Sequence, residues 1–209
     1  MPSPRGARRP VLPWPPERNR KAVVQAPSSP TTSEVDSTID SHLVMSRSAE
    51  VTLALETDRK VADVRALATV VHSVDDIAAS ISSGSFRTMG MVIAPCSMRS
   101  MAEIATGTTA SLLTRAADVV LKERRRLVLM VRETPLHLGH LRSMTALAEM
   151  GAILAPPVPA FYAKPATLDA MIDHTVGRVL DLFDIDTGAL KRWGDVPRRS
   201  GRGTVQESG

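Results

Sequence analysis

A run of residues with thiol, hydroxyl and cationic side chains, Cys96-Ser97-Met98-Arg99-Ser100, follows a short apolar segment and opens a predicted helix. The first turn of a helix has free backbone N–H groups, and with the hydroxyls of Ser97 and Ser100 it could hold a phosphate. The alternative is that Ser97 only caps the helix. Cys96 is the single cysteine, so an internal disulfide is excluded, and we expect a buried residue rather than a nucleophile.

Charged and phenolic side chains follow the later apolar segments. Arg132 and Glu133 come directly after one such segment, and a guanidinium there would match the oxygens of a phosphate, although the pair could equally form a surface salt bridge. Tyr162, the only tyrosine, lies in a loop with prolines on both sides, which indicates a ligand wall. Arg178 lies beside the apolar stripe of the last predicted helix and would be solvated unless an anion lies above it.

A possible metal pair is formed by His137 and His140, which are three residues apart on one predicted helical face. No third ligand is evident in the sequence, and a stable zinc site needs at least three protein ligands. We therefore predict no metal.

The elements that would position these residues follow from the alternation of apolar runs with helical periodicity. The predicted strands are 42–45, 91–94, 127–131 and 152–155, with Pro95 expected to end the second, and residues 70–71 are either a short strand or an extended turn. The predicted helices are 47–57, 61–67, 98–106, 109–123, 137–150 (ended by Gly151) and 167–184. Apolar strands without alternation, separated by helices, predict a doubly wound, Rossmann-like α/β fold: a parallel sheet with helices on both faces.

Parallel sheets of this kind bind ligands beyond the carboxyl ends of their strands. That rule selects four places: Ser46, the 96–100 run, Arg132 with Glu133, and residues 156–164. All four carry polar or charged side chains, so we predict that the functional site lies at this edge.

The charge of the chain is concentrated in its ends. Among 209 residues the net charge is +4, but residues 1–34 carry six basic and two acidic side chains, and residues 191–209 carry five and two. The remainder, 35–190, has a net charge of −3, and only 3% of residues are aromatic, so we expect no nucleic-acid interface.

Eight of the fifteen prolines fall within residues 1–34. We therefore predict a disordered Pro/Arg-rich segment over 1–38, one domain over 39–194 and a disordered tail over 195–209, with no regular strand before residue 34. No run of 18 apolar residues exists to span a membrane, and no secretory signal is evident, so we expect a cytoplasmic protein.

Five segments resemble the signature segments of the flavin prenyltransferases, the UbiX family. They are SGSFRT at 83–88, MVIAPCS at 91–97, RAADVVLKERR at 115–125, RETPLHL at 132–138 and PAFY at 159–162. The resemblance spans about residues 39–193. It implies an enzyme that joins a dimethylallyl group from dimethylallyl phosphate to reduced FMN, without a metal. It also implies a homo-oligomer whose product, prenylated FMN, serves UbiD-type decarboxylases.

The resemblance also implies roles for individual residues. The FMN-contacting positions would be Ser46, Ser97, Met98, Arg99, Ser100 and Arg132. The residues that hold dimethylallyl phosphate would be Lys122, Tyr162 and Arg178. The acidic residues in the transfer would be Glu56 and Glu133. This fits the chemistry, because departure of an allyl phosphate needs cations around the leaving oxygens and carboxylates can move protons.

One family feature is absent from the sequence. Members begin with a strand followed by a Gly-rich phosphate loop, whereas residues 14–38 here contain no glycine, so we predict that the first strand and this loop are missing. A non-catalytic, flavin-binding member of the family is therefore the main alternative to an active enzyme. A flavin-dependent cysteine decarboxylase is a further alternative, which the segments at residues 132–135 and 161–162 disfavour. A nucleic-acid binder would rest on the charge of the tails alone.

Overall fold

The computed structural model describes the backbone of residues 20–25 and the whole of residues 39–188. The strands are β1 (Arg20–Gln25), β2 (Ile39–Val44), β3 (Val70–His72), β4 (Gly90–Cys96), β5 (Arg126–Val131) and β6 (Ile153–Leu154). The helices are α1 (Arg47–Glu56), α2 (Val61–Ala66), α3 (Met98–Ala105), α4 (Leu112–Lys122), α5 (Leu138–Glu149) and α6 (Leu168–Asp181). Short 3-10 turns occupy Ser80–Ser82 and Phe161–Ala163. The strands form one parallel sheet in the order β3-β2-β1-β4-β5-β6.

The central strand β4 is buried on both faces of the sheet. Met91 and Ile93 belong to the apolar cluster that includes residues of α3, α4 and α5, whereas Val92 packs with Val179 of α6 and with Phe183 just after that helix. A strand that is covered on both sides must be apolar at every position, and this is the reason that its sequence does not alternate. The predicted doubly wound α/β sheet is confirmed. Within the part of the chain that the structure describes, no helix is long and apolar enough to cross a membrane.

The centre of the sheet corrects the prediction of irregular chain before residue 34. β1 lies between β2 and β4 and pairs with both in parallel. The prediction of a missing first strand was wrong because the flanking prolines and charges outweighed the short apolar run Ala22-Val23-Val24. Two neighbouring strands with unpaired edges supply hydrogen bonds that no local pattern in the sequence reveals.

The remaining predictions about the ends fall on residues that the structure does not describe. These are residues 1–19, 26–38 and 189–209. The disorder of both tails and the missing Gly-rich loop therefore stay predictions.

β4 also continues further than expected, through Pro95 to Cys96. A proline has no N–H group to donate to a neighbouring strand. The pairing with β5 shifts register between Ile93 and Cys96, and the pairing with β1 ends at Ile93, so the ladder does not need that donor. The peptide bond between Ala94 and Pro95 is cis.

The order of the strands reverses between β1 and β4. The chain proceeds from β1 outward to β3, and then returns to β4 and proceeds outward on the other side to β6. At such a switch point the loops leave the carboxyl ends of the two strands in opposite directions and leave a crevice between them.

A pair of histidines joins β2 to β3. His42 Nδ1 lies 2.9 Å from His72 Nε2, and the two rings stack with a centroid distance of 5.2 Å. His42 is 5% exposed. Burial lowers the pKa of His72 below its ordinary value of 6.5, while Asp76 opposes that shift.

We predict that the folded protein loses stability as the pH falls through the ordinary pKa of histidine. His72 binds a proton less readily when folded than when unfolded, so protonation favours the unfolded chain. Between about pH 7.5 and about pH 5.5, the Tm of the parent protein should fall further than that of His72→Gln. Differential scanning calorimetry measures both, and equal decreases would contradict the role of His72.

Candidate functional site

The carboxyl edge of the sheet carries two serines that begin helices. Ser46 follows β2 and caps α1, accepting a hydrogen bond from the Ala49 N–H (3.1 Å). Ser97 follows β4 and caps α3, accepting from the Ser100 N–H (3.2 Å) and donating to Ser100 Oγ (3.1 Å). Ser97 is therefore a helix cap, as one of the two interpretations predicted. The first turn of α3 lies at the switch point, directly after β4.

The residues around Ser97 differ in their orientation. Met98 is half-buried against the core, whereas Arg99 is exposed and forms an ion pair with Glu103 along α3 (2.9 Å). Cys96 is fully buried, and burial raises the pKa of its thiol to about 12. The expectation of a buried residue is confirmed, and the raised pKa disfavours the thiolate that a nucleophile needs.

An ion pair connects the two sides of the switch point. Arg132, directly after β5, has its Nη2 3.7 Å from Oε1 of Glu56, the last residue of α1. The side chains are 59% and 48% exposed, so both remain accessible to a ligand. Glu133, the residue after Arg132, is exposed, and its Oε1 accepts a hydrogen bond from the Thr134 N–H (3.1 Å).

The direction of α6 follows from contacts at its end. Phe183 lies against Gly90, where an added Cβ would be 2.7 Å from the ring, and Asp184 pairs with Arg126 (2.9 Å). Gly90 and Arg126 are the first residues of β4 and β5, so α6 ends at the amino edge of the sheet. The first turns of α6 therefore lie toward the carboxyl edge.

Tyr162 and Arg178 both lie along α6. The Tyr162 ring stands edge-on to the ring of His174, with a centroid distance of 5.7 Å. Arg178 follows His174 by one turn of the helix and pairs with Asp181 (3.0 Å), while its side chain stays 56% exposed. The structure thus places Tyr162 beside α6 and Arg178 in its last turn, which lies toward the amino edge, so Arg178 does not join Ser97 and Arg132 at the carboxyl edge.

Lys122 lies at the opposite edge from Ser46, Ser97 and Arg132. α4 begins beside the end of β3, where the Leu112 N–H donates to the Val74 carbonyl (2.8 Å). It ends with Lys122, four positions before Arg126 opens β5. Eleven helical residues span roughly 16 Å, so α4 crosses to the amino edge. Lys122 therefore cannot join Ser97 and Arg132 within one copy of the chain.

The predicted histidine pair does not extend to a metal site in the described part of the chain. The rings of His137 and His140 are 3.6 Å apart, and His137 Nδ1 accepts from the Gly139 N–H (3.0 Å). No group of three or more His, Cys, Asp or Glu side chains among the described residues could hold a metal.

A separate cavity of about 310 Å³ lies near the ends of β2 and β3. Its lining includes Arg47 and Arg65, which pair with Asp75 (2.9 Å) and Glu50 (2.5 Å). These arginines already have carboxylate partners, so the cavity offers less positive charge than its composition suggests.

Sequence reasoning missed His174 and the surroundings of Lys122. His174 is 6% exposed and its Nε2 is buried without a hydrogen-bond partner. A histidine within an apolar helical stripe was a signal available in the sequence. Lys122 lies close to Gly84, and the neighbouring Arg125 donates to the carbonyls of Gly84 and Phe86; these residues are far away along the chain, so no local pattern could predict them.

Comparison with known proteins identifies a family and close relatives of this chain. The flavoprotein family model matches residues 31–196. The flavin prenyltransferase UbiX of Thauera aromatica is 56% identical over 155 residues, which cover 74% of this chain and 80% of that protein. The flavin prenyltransferase UbiX of Escherichia coli (strain K12) is 64% identical over 147 residues, which cover 70% and 78%.

Solved structures agree with these relatives. AnUbiX (PadA1) in complex with FMN and dimethylallyl pyrophosphate matches with a TM-score of 0.78 and 46% identity, covering 84% of this chain and 98% of that chain. The dodecameric FMN-dependent UbiX-like decarboxylase from Escherichia coli O157:H7 matches with a TM-score of 0.75 and 43% identity, covering 84% and 99%. This chain belongs to the flavoprotein family and, within it, to the UbiX flavin prenyltransferases.

Proposed function

We propose that this protein transfers a dimethylallyl group from dimethylallyl phosphate to reduced FMN, for use by a UbiD-type decarboxylase. The observation that carries the proposal is the meeting of Arg132 and Glu56 over the switch point, next to the first turn of α3. Cations, hydroxyls and a carboxylate converge there, and these are the groups that a flavin and an allyl phosphate require. The identity to flavin prenyltransferases supports the same conclusion.

The residues at the carboxyl edge fit FMN. Its phosphate and ring edge offer many hydrogen-bond acceptors, and the first turn of α3 with Ser97 and Ser100 supplies donors. Ser46 adds a third hydroxyl at the start of α1, and Arg132 adds an exposed guanidinium. In this proposal these residues and the Met98–Arg99 turn bind FMN.

In the proposed reaction the carbon–oxygen bond of the allyl phosphate breaks, and the phosphate leaves with the electron pair. Reduced FMN supplies the electron-rich ring that forms the new bond to the allyl carbon. Arg178 and Lys122 balance the charge of the departing phosphate, and the Tyr162 hydroxyl donates to it. Glu56 and Glu133, both at the carboxyl edge, accept the proton that the flavin ring loses as the new bond forms and pass it to the departing phosphate.

The proposed site needs a second copy of the chain, because Lys122 lies at the edge opposite Ser97. Large apolar side chains such as Leu138 (61% exposed) and Phe161 (73% exposed) are available for contact between copies. A solved relative is dodecameric, which supports a homo-oligomer here. The cytoplasmic location stays a prediction.

A second candidate function is supported by the sequence of the connection between β1 and β2. Residues 26–38 contain no glycine, and glycine is the residue that lets a backbone loop wrap closely around a phosphate. A chain with weakened phosphate binding could bind flavin without turning it over.

We predict that Arg178→Ala weakens binding of dimethylallyl phosphate and leaves FMN binding nearly unchanged. Loss of one charged contact to a phosphate should cost about 1.5–3 kcal/mol, roughly tenfold to a hundredfold in affinity. Isothermal titration calorimetry on the FMN-loaded protein measures the change. Arg65→Ala is the matched control, because it also removes an arginine from a surface ion pair. Equal affinities for Arg178→Ala and the parent would contradict the assignment.

We further predict that the parent protein binds FMN weakly but forms prenylated FMN when FMN is in excess. Turnover is measured by absorbance and mass spectrometry under anaerobic, reducing conditions with excess dimethylallyl phosphate, and in parallel with dimethylallyl diphosphate. Tight FMN binding with no product from either donor would reject the enzyme and favour the flavin-binding alternative. Product from the diphosphate alone would correct the donor.

A further inference from the structure

Arg125 is fixed to the backbone of a distant loop at the amino edge of the sheet. Its Nη2 donates to the Gly84 carbonyl and its Nη1 to the Phe86 carbonyl, both at 2.7 Å. The side chain is 16% exposed. Two hydrogen bonds to main-chain oxygens make this guanidinium an immobile positive charge.

A chain of charges extends from Arg125 to the surface. Glu123 Oε2 lies 4.0 Å from Arg125 Nη2, and Glu123 Oε1 accepts a hydrogen bond from Lys122 Nζ (2.5 Å). Lys122, through its hydrogen bond and its charge, lowers the pKa of the Glu123 carboxyl, and Arg125 adds to that shift. The exposed fraction rises from 16% through 35% to 47% along Arg125, Glu123 and Lys122. The outermost group is therefore an ammonium that is hydrogen-bonded to a carboxylate within ion-pair distance of the fixed Arg125 guanidinium.

Gly84 leaves the space that this arrangement needs. A Cβ at residue 84 would lie 2.2 Å from Glu123 Oε1 and 2.7 Å from Lys122 Nζ. The backbone of Gly84 cannot withdraw without breaking its bond to Arg125. Both side-chain ends can rotate away, so an added methyl group would displace the ion pair rather than the fold.

We infer that Gly84, Glu123 and Arg125, which we call the Lys122 clasp, are positioning residues that hold the Lys122 ammonium for the prenyl phosphate bound in a neighbouring copy. The inference rests on the proposed function, since it takes Lys122 as a phosphate ligand. An ammonium has three N–H donors, and the clasp occupies one, so two remain for phosphate oxygens. A lysine that is already ordered loses less side-chain freedom when the phosphate binds.

The binding experiment uses a double-mutant cycle on the assembled, FMN-loaded protein. Calorimetry with dimethylallyl phosphate should show a loss of about tenfold to a hundredfold for Lys122→Ala and of about threefold to tenfold for Gly84→Ala. Gly84→Ala should have no further effect when Lys122 is already alanine. An unchanged affinity for Gly84→Ala, or the same loss in both backgrounds, would overturn the inference.

A second readout follows the lysine itself. Acetylation of Lys122 by acetic anhydride, quantified by peptide mass spectrometry, should be faster in Gly84→Ala and in Glu123→Gln than in the parent, because the amine is released from its carboxylate. Gly139→Ala is the matched control, since its Cβ would also approach a side chain closely (2.9 Å from His137) but outside the clasp. Unchanged labelling of Lys122 in both clasp variants would overturn the inference.

The two experiments separate this inference from the proposed function. If the parent forms prenylated FMN but Lys122→Ala binds dimethylallyl phosphate as the parent does, the clasp has no role in binding and the inference fails while the function stands. If the parent neither binds nor converts the donor, the proposed function fails and the role of the clasp in phosphate binding fails with it, and the labelling rates then show only whether Glu123 holds the Lys122 ammonium.

Discussion

The reversal of strand order between β1 and β4 is the constraint on which the site depends. Because β1 pairs with β2 on one side and β4 on the other, the chain leaves their carboxyl ends in opposite directions. Ser46 and Glu56 come from one side of the resulting crevice, and Ser97 and Arg132 from the other. The short strand over residues 20–25 is therefore a condition for the site, even though the functional side chains come from other elements.

The cations of the candidate site differ in how firmly they are held. Arg132 and Arg178 each pair with a carboxylate while more than half of the side chain is exposed. Exposed pairs of this kind contribute about 0–1 kcal/mol, so a phosphate that accepts several charged hydrogen bonds can replace the carboxylate. Arg125, in contrast, bonds to two main-chain carbonyls and is mostly buried. It orders other groups and is not itself available to a ligand.

The length of α4 places Lys122 at the edge of the sheet opposite Ser97. It runs from the end of β3 to the start of β5, so its last residue, Lys122, lies on the far side of the sheet from Ser97. In the proposed function, one copy of the chain presents FMN-binding residues at its carboxyl edge and the Lys122 ammonium at its amino edge. An assembly in which the amino edge of one copy meets the carboxyl edge of another would bring Lys122 to the FMN-binding residues. Self-association is therefore part of the proposed chemistry.

Local patterns in the sequence determined most elements and their ends. Apolar runs predicted most of the strands from β2 to β6, and most clearly β4 and β5, because a strand that is covered on both sides must be apolar throughout. The serines at 46 and 97 cap helices through bonds to backbone groups three residues away. Only the tertiary structure decided the place of β1, whose hydrogen bonds come from β2 and β4, and the meeting of Arg132 with Glu56. It likewise decided that Lys122 lies at the opposite edge beside Gly84. These contacts join residues far apart in the chain, and their partners are set by strand order, which no local periodicity encodes.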